Sequence, residues 1–194
     1  MSQTLYTLQS DIDLARRCRE GDRKGQEEFY NRFKSRMMAV CMRYMGGKEQ
    51  ASDVFQEAFI KAFRLMANYR GEGPIEAWLR KIVVSCALNE LKKRKMVWLE
   101  DVSDGFVLNP EFNGAINHLN EQELLKLIAE LPRGYRTVFN LYVLEGFDHR
   151  EIAQSLGITE STSRTQLLKA RVLLQKKILG SDTALSGKLH KMRS

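Results

Sequence analysis

The segment from Asp148 to Arg171 admits few folds. Ile152 and Ala153 mark a short first helix, and Ala153 is small enough to let a second helix approach closely. Gly157, four residues later, suits a tight turn where a side chain would strain the backbone. Ile158 follows as an inward apolar anchor. Thr159 can cap a second helix by accepting an N–H bond at its open end. Leu167, Ala170 and Leu174 then recur at helical spacing and face inward. Arg164, Thr165, Leu168, Lys169 and Arg171 are left around the outer arc, although Leu168 is also compatible with a core position. A second helix of this kind fits the DNA major groove, where Arg and Lys donate to guanine O6 and N7 and Leu can touch a thymine methyl. A helical hairpin with no DNA role would share the apolar spacing. The small residue, the glycine, the cap and the basic face in one register favour DNA.

The rest of the chain also reads as helix. Residues 11 to 20 form a short helix closed by Gly21-Asp22. Phe29, Phe33, Met37, Val40, Cys41 and Tyr44 recur at helical spacing up to Gly46-Gly47. Ala51, Val54, Phe55, Ala58, Phe59, Ala62 and Phe63 mark a third helix. Residues 68 to 74 then form a Gly/Pro loop, and Pro74 suits the first turn of a fourth helix. Around residues 99 to 118 the periodicity lapses among Asp104-Gly105, Asn109-Pro110 and Asn113-Gly114, a linker signature. The expected fold is all-α: two small helical domains on a flexible linker, the second containing the helix-turn-helix. Their expected bounds are residues 11–96 and 120–179, with the linker at 97–119 and a disordered polar tail at 180–194.

Charge distribution points the same way. The chain has 194 residues and a net charge of +7. Residues 61 to 95 hold nine Lys/Arg against three Asp/Glu, whereas residues 96 to 118 hold four acids and no Lys or Arg. Two basic segments around an acidic one suggest two contacts with a polyanion. No run approaches the roughly 18 to 20 apolar residues of a membrane span, and the N-terminus lacks the pattern of a signal peptide. Cys18, Cys41 and Cys86 are widely spaced in apolar patterns and read as reduced core thiols, which places the chain in the cytoplasm. His118, His149 and His190 have no second ligand at useful spacing, so no metal is expected. No phosphate loop or catalytic constellation stands out, so neither cofactor nor enzymatic chemistry is expected.

In the first half, Asp53, Gln56 and Glu57 share one helical arc, which by itself reads as a solvated face. The loop around Tyr69 and Arg70, followed by Trp78, Arg80 and Lys81, mixes aromatics with cations. That combination holds unpaired bases while neutralising phosphates. Trp78 also lies at apolar spacing with Leu79 and Ile82, which favours a core role for it.

Three stretches together carry a resemblance. They are Ala51-Ser52-Asp53-Val54-Phe55-Gln56-Glu57-Ala58-Phe59, Ala77 through Lys93, and Leu131-Pro132-Arg133-Gly134-Tyr135-Arg136-Thr137-Val138-Phe139 leading into the helix-turn-helix. In this order the chain resembles a sigma factor of the extracytoplasmic-function group, the minimal two-domain type of the sigma-70 family, over about residues 11 to 178. The resemblance implies a subunit that docks on core RNA polymerase, recognises promoter DNA and assists its melting. It implies polymerase binding by Asp53, Gln56 and Glu57. It implies −10 contacts by Asn68, Tyr69, Arg70, Gly71, Arg80, Lys81, Ser85, Asn89, Lys92 and Lys93. It implies −35 contacts by Thr162, Arg164, Thr165, Leu168, Lys169 and Arg171. An anti-sigma factor is a common partner in the group. Ser85 stands where many members carry Asn, and Asn89 where many carry Asp, so a −10 consensus does not transfer. A stand-alone helix-turn-helix regulator would share the second half of this pattern and would bind duplex DNA without polymerase.

Overall fold

The computed structural model describes residues 2–93 and 121–191. The expected linker at residues 97–119 lies outside them. The described residues form two compact units. The first comprises α1 (Ser2–Arg19), α2 (Arg23–Met45), α3 (Lys48–Arg64), a 3-10 turn (Met66–Asn68) and α4 (Ile75–Lys93). The second comprises α5 (Glu121–Ala129), α6 (Arg133–Phe139, continuing as a π-helical turn over Asn140–Leu144), α7 (His149–Leu156) and α8 (Glu160–Lys191).

In the first unit α2, α3 and α4 pack on one another and α1 lies against α2 and α4. The apolar stripes read from sequence meet here. Phe29, Phe33, Met37, Val54, Phe55, Phe59, Leu79, Val83 and Leu91 are buried. Full burial of such a side chain contributes about 1.5–3 kcal/mol. Phe29 meets Phe33 edge-on at 5.1 Å between centroids, and Phe55 meets Phe59 at 4.6 Å. Cys18, Cys41 and Cys86 are free and buried, and burial raises the Cys41 thiol to about 12. Asp22 opens α2 by accepting the Lys24 N–H.

In the second unit Leu131, Val138, Leu141, Ile152, Leu156, Leu167, Ala170 and Leu174 form the core. Arg136 is itself buried and donates to the Ala129 carbonyl at 2.6 Å. A cation thereby closes the C-terminus of α5, where unsatisfied carbonyls carry partial negative charge. Burial pulls the Arg136 guanidinium below its ordinary value.

Two helices run past their expected ends. α1 begins at Ser2 instead of residue 11; the added residues contain neither proline nor glycine, so nothing halts propagation of an existing helix. α8 continues to Lys191, where a disordered tail is expected from residue 180. Its one interior obstacle there is a pair of glycines, each costing only about 1 kcal/mol relative to alanine, and elongation needs no new nucleus.

Candidate nucleic-acid interface

The first unit presents a cavity of about 830 Å³ where the loop after the 3-10 turn meets the start of α4. Asn68, Tyr69, Arg70, Trp78 and Lys81 are among the residues that line it. The Tyr69 and Trp78 rings lie 5.8 Å apart at 58°. Tyr69 is fixed by its hydroxyl, which donates to the Gly73 carbonyl at 2.6 Å. Burial, with a smaller push from the charge of Asp11, raises its phenol above the ordinary value. Arg70 extends into solvent, 80% exposed. Trp78 is only half-buried and walls the cavity. The core role suggested by its spacing does not hold, because its ring lines the cavity instead. It immediately precedes Leu79, about 100° around the helix from the buried stripe.

From the cavity a polar ridge follows α4. Lys81, Ser85 and Asn89 are exposed at successive four-residue steps, and Lys92 and Lys93 are exposed at its end. Lys93 pairs with Glu90 at 3.5 Å. Arg80 is half-buried, beside this ridge rather than on it. Two tilted aromatics, a cation and a line of short polar groups form a surface that can stack an unpaired base and follow its backbone. On α3, Asp53, Gln56 and Glu57 are all exposed on one arc, as the spacing indicates, and Ile60 extends that arc at 54% exposure. Sequence reading missed Ile60 because an isolated isoleucine at i+3 from Glu57 does not distinguish a buried position from an exposed one.

In the second unit the turn and the helix cap of the motif are built as expected, whereas Ile158, expected to point inward, is only half-buried. Gly157 ends α7 at φ +68°, a left-handed conformation that favours glycine. The Thr159 hydroxyl accepts the Thr162 N–H at 3.0 Å and caps α8. A capping box not foreseen from sequence opens α7: Asp148 accepts from the Glu151 N–H, and Glu151 accepts from the Asp148 N–H, both at 2.8 Å. The spacing Asp-x-x-Glu was its available signal.

The outer ridge of α8 consists of Ser161, Arg164, Thr165 and Leu168, all exposed. Arg164 pairs with Glu160 at 2.9 Å. Thr162 is half-buried, its hydroxyl 2.9 Å from that of Thr159. Two residues depart from the expected arc. Lys169 is buried at 7% exposure, because α6 and α7 both pack on α8 and widen its covered stripe from Gln166 through Lys169 to Val172. Arg171 is half-buried, with its guanidinium 5.9 Å above the Tyr142 ring. Tyr142 in turn stacks on His149 at 4.7 Å, and His149 Nδ1 lies 2.9 Å from Ser163 Oγ. This stack ties the first helix of the motif to the second.

Among the described residues no group of His, Cys, Asp and Glu could hold a metal ion, and no helix is long and apolar enough to cross a membrane.

Each unit is similar to a part of known proteins. Residues 29–96 match sigma-70 region 2, and residues 121–174 match sigma-70 region 4. The RNA polymerase sigma-H factor of Pseudomonas aeruginosa is 27% identical over 186 residues, covering 89% of this chain and 95% of the relative. The ECF RNA polymerase sigma-E factor of Escherichia coli K12 is 29% identical over 181 residues, covering 87% and 94%. A solved sigma factor from Bartonella quintana, RpoE in complex with the anti-sigma factor NepR, aligns over 80% of this chain and 99% of its own at 19% identity and a TM-score of 0.46. The two sigma-70 region matches and these full-length relatives set the stand-alone regulator aside: the chain belongs to the sigma-70 family, as a two-domain sigma factor of the extracytoplasmic-function group that acts in transcription initiation and is not itself an enzyme.

Proposed function

We propose that the two units divide promoter recognition between them. The first unit takes an unstacked base of the −10 non-template strand into the cavity between Tyr69 and Trp78. Lys81, Ser85, Asn89, Lys92 and Lys93 follow the strand along α4. The second unit sets Arg164, Thr165 and Leu168 against base edges of duplex −35 DNA, with Arg171 at the flank. Asp53, Gln56 and Glu57 dock on core RNA polymerase, which performs the phosphoryl transfer. Unstacking costs about a few kcal/mol per base step, and a preformed aromatic site offsets that cost. Regulation by an anti-sigma factor belongs to the same proposal on the strength of family membership alone.

The observation that supports this reading best is the aromatic-walled cavity opening onto the α4 ridge. It suits single-stranded nucleic acid and has no use in a protein that reads only duplex DNA. Holoenzyme binding to a fork-junction template and to an isolated −35 duplex, measured separately, tests the division. Trp78→Ala is expected to weaken the first and spare the second, and Arg164→Ala to do the reverse for duplex discrimination. Equal effects of each substitution on both templates would defeat the proposal.

A further inference from the structure

Two consecutive residues of α1 hold the loop that frames the cavity, one where it enters α4 and one at its middle. Asp11 is 2% exposed, and its Oδ2 accepts the backbone N–H of Ile75 at 3.0 Å across 64 residues of sequence. Ile75 is the first residue of α4 and is fully buried. Its N–H has no intrahelical acceptor, and burial denies it water. The carboxylate also places negative charge at the positive end of α4. An Arg32 guanidinium nitrogen on α2 lies 3.0 Å from Asp11 Oδ1 and offsets the buried charge, though without hydrogen-bond alignment. Ile12 closes on the middle of the loop. Gly71 has φ +74°, and a Cβ there would stand 2.9 Å from Ile12 Cδ1.

We propose that α1 is the positioning element of the −10 pocket and that Asp11 is its positioning residue. The proposal rests on the reading of the cavity as that pocket. Asp11 is not among the residues lining the cavity and acts through the Ile75 N–H. That bond fixes the first turn of α4, and Trp78 lies in that turn, three residues after Ile75. Ile12 supports the Gly71 backbone two residues after Tyr69, so α1 sets both aromatic walls at once. Without the acceptor the first turn of α4 loosens, and the spacing of the two rings is no longer held. Discrimination among −10 bases then falls although every base-facing side chain is still present.

The test uses holoenzyme reconstituted from core polymerase and the full chain carrying Asp11→Ala, Asp11→Asn or Trp78→Ala. The readout is the ratio of fork-junction affinities for the native and a substituted −10 non-template base. Core association, −35 duplex binding and thermal melting are followed in parallel. Asp11→Ala is expected to lower the melting temperature, because a buried N–H loses its acceptor, and to reduce the ratio about tenfold, the scale of one base-discriminating contact, with core association and −35 binding unchanged. Asp11→Asn still offers Oδ1 to that N–H and keeps the ratio within about threefold of the parent. A lowered melting temperature with an unchanged ratio in Asp11→Ala would overturn the positioning role and leave the pocket standing, provided Trp78→Ala reduces the ratio. An unchanged ratio in Trp78→Ala would overturn the pocket and the positioning role together. Should Asp11→Ala fail to fold, Ile12→Ala removes only packing from a side chain that is 41% exposed. An unchanged ratio there overturns the proposal equally.

Discussion

Arg164 and Glu160 are joined by an ion pair of 2.9 Å, one turn apart on the outer face of the helix proposed to enter the major groove. Both are well exposed, so the pair holds little stability of its own. It does orient the guanidinium along the ridge shared with Ser161, Thr165 and Leu168. Arg can donate to guanine while Glu accepts from cytosine N4, so the two can act as one reading unit.

Arg164→Ala is therefore expected to flatten the preference for the native −35 sequence over single-base variants by about 1–3 kcal/mol. Lys177 lies farther along α8 and pairs with Glu130, just past the end of α5, and Lys177→Ala should leave the ranking of sequences intact. Holoenzyme affinities across a −35 substitution panel at two salt concentrations check this. If Arg164→Ala lowers every affinity by one factor and reduces the salt slope by about one, the residue grips phosphate instead.

Asp53→Ala combined with Gln56→Ala should weaken association with core polymerase and leave helicity unchanged, since both side chains are exposed and the buried face of α3 is untouched. Surface substitutions of this kind usually change stability by less than about 0.5 kcal/mol. A pull-down with core enzyme and circular dichroism give the two readings. Undiminished capture by a folded double variant would remove the docking role.

Ser85→Asn should change −10 preference or promoter opening more than −35 recognition. Ser85 is one turn beyond Lys81 on the exposed ridge leading from the cavity, and asparagine reaches farther with an added donor. Permanganate reactivity of promoter thymines reports opening, and a mobility shift on −35 duplex reports the other unit. Unaltered opening together with unaltered −10 preference would place Ser85 outside the strand's path.

Acid should loosen the second unit through His149. Burial first, and then the positive charge of Arg164, hold its imidazole below the ordinary value; Arg171 acts in the same sense, while Glu160 and Asp148 oppose it. Ser163 and Tyr142 face the same ring. The unfolded chain therefore binds a proton at higher pH than the folded one. The contribution is complete above an unfolded value of about 6.5 and is lost as pH falls toward the folded value. Urea melts near neutrality and at about pH 5.5 should show a larger acid loss in the parent than in His149→Gln. Equal losses would remove any role for His149 in the acid response.

Much of this organisation is legible in the amino-acid sequence. Apolar residues at period 3.6 locate α2, α3 and α4, and the run from Ala153 through Gly157 to Thr159 locates the turn and cap of the motif. Periodicity says less about the edges of a stripe. Trp78 stands beside the Leu79 stripe and reads as core, yet the neighbouring loop leaves its ring to wall a cavity. Lys169 reads as exposed by its charge, yet α8 is covered by two helices there and its stem is enclosed. The bond from Asp11 to Ile75 has no local signal, because only the packing of α1 on α4 brings the two together.

Promoter-directed RNA synthesis tests the central claim most directly. Core RNA polymerase, supplied with a promoter that the chain serves, is assayed for specific initiation with and without the purified protein. Initiation at the promoter start site is expected only when the chain is present, and it should be lost when Asp53→Ala and Gln56→Ala are combined in the chain. Specific duplex binding by the chain alone, with no polymerase-dependent initiation at that promoter, would contradict the assignment.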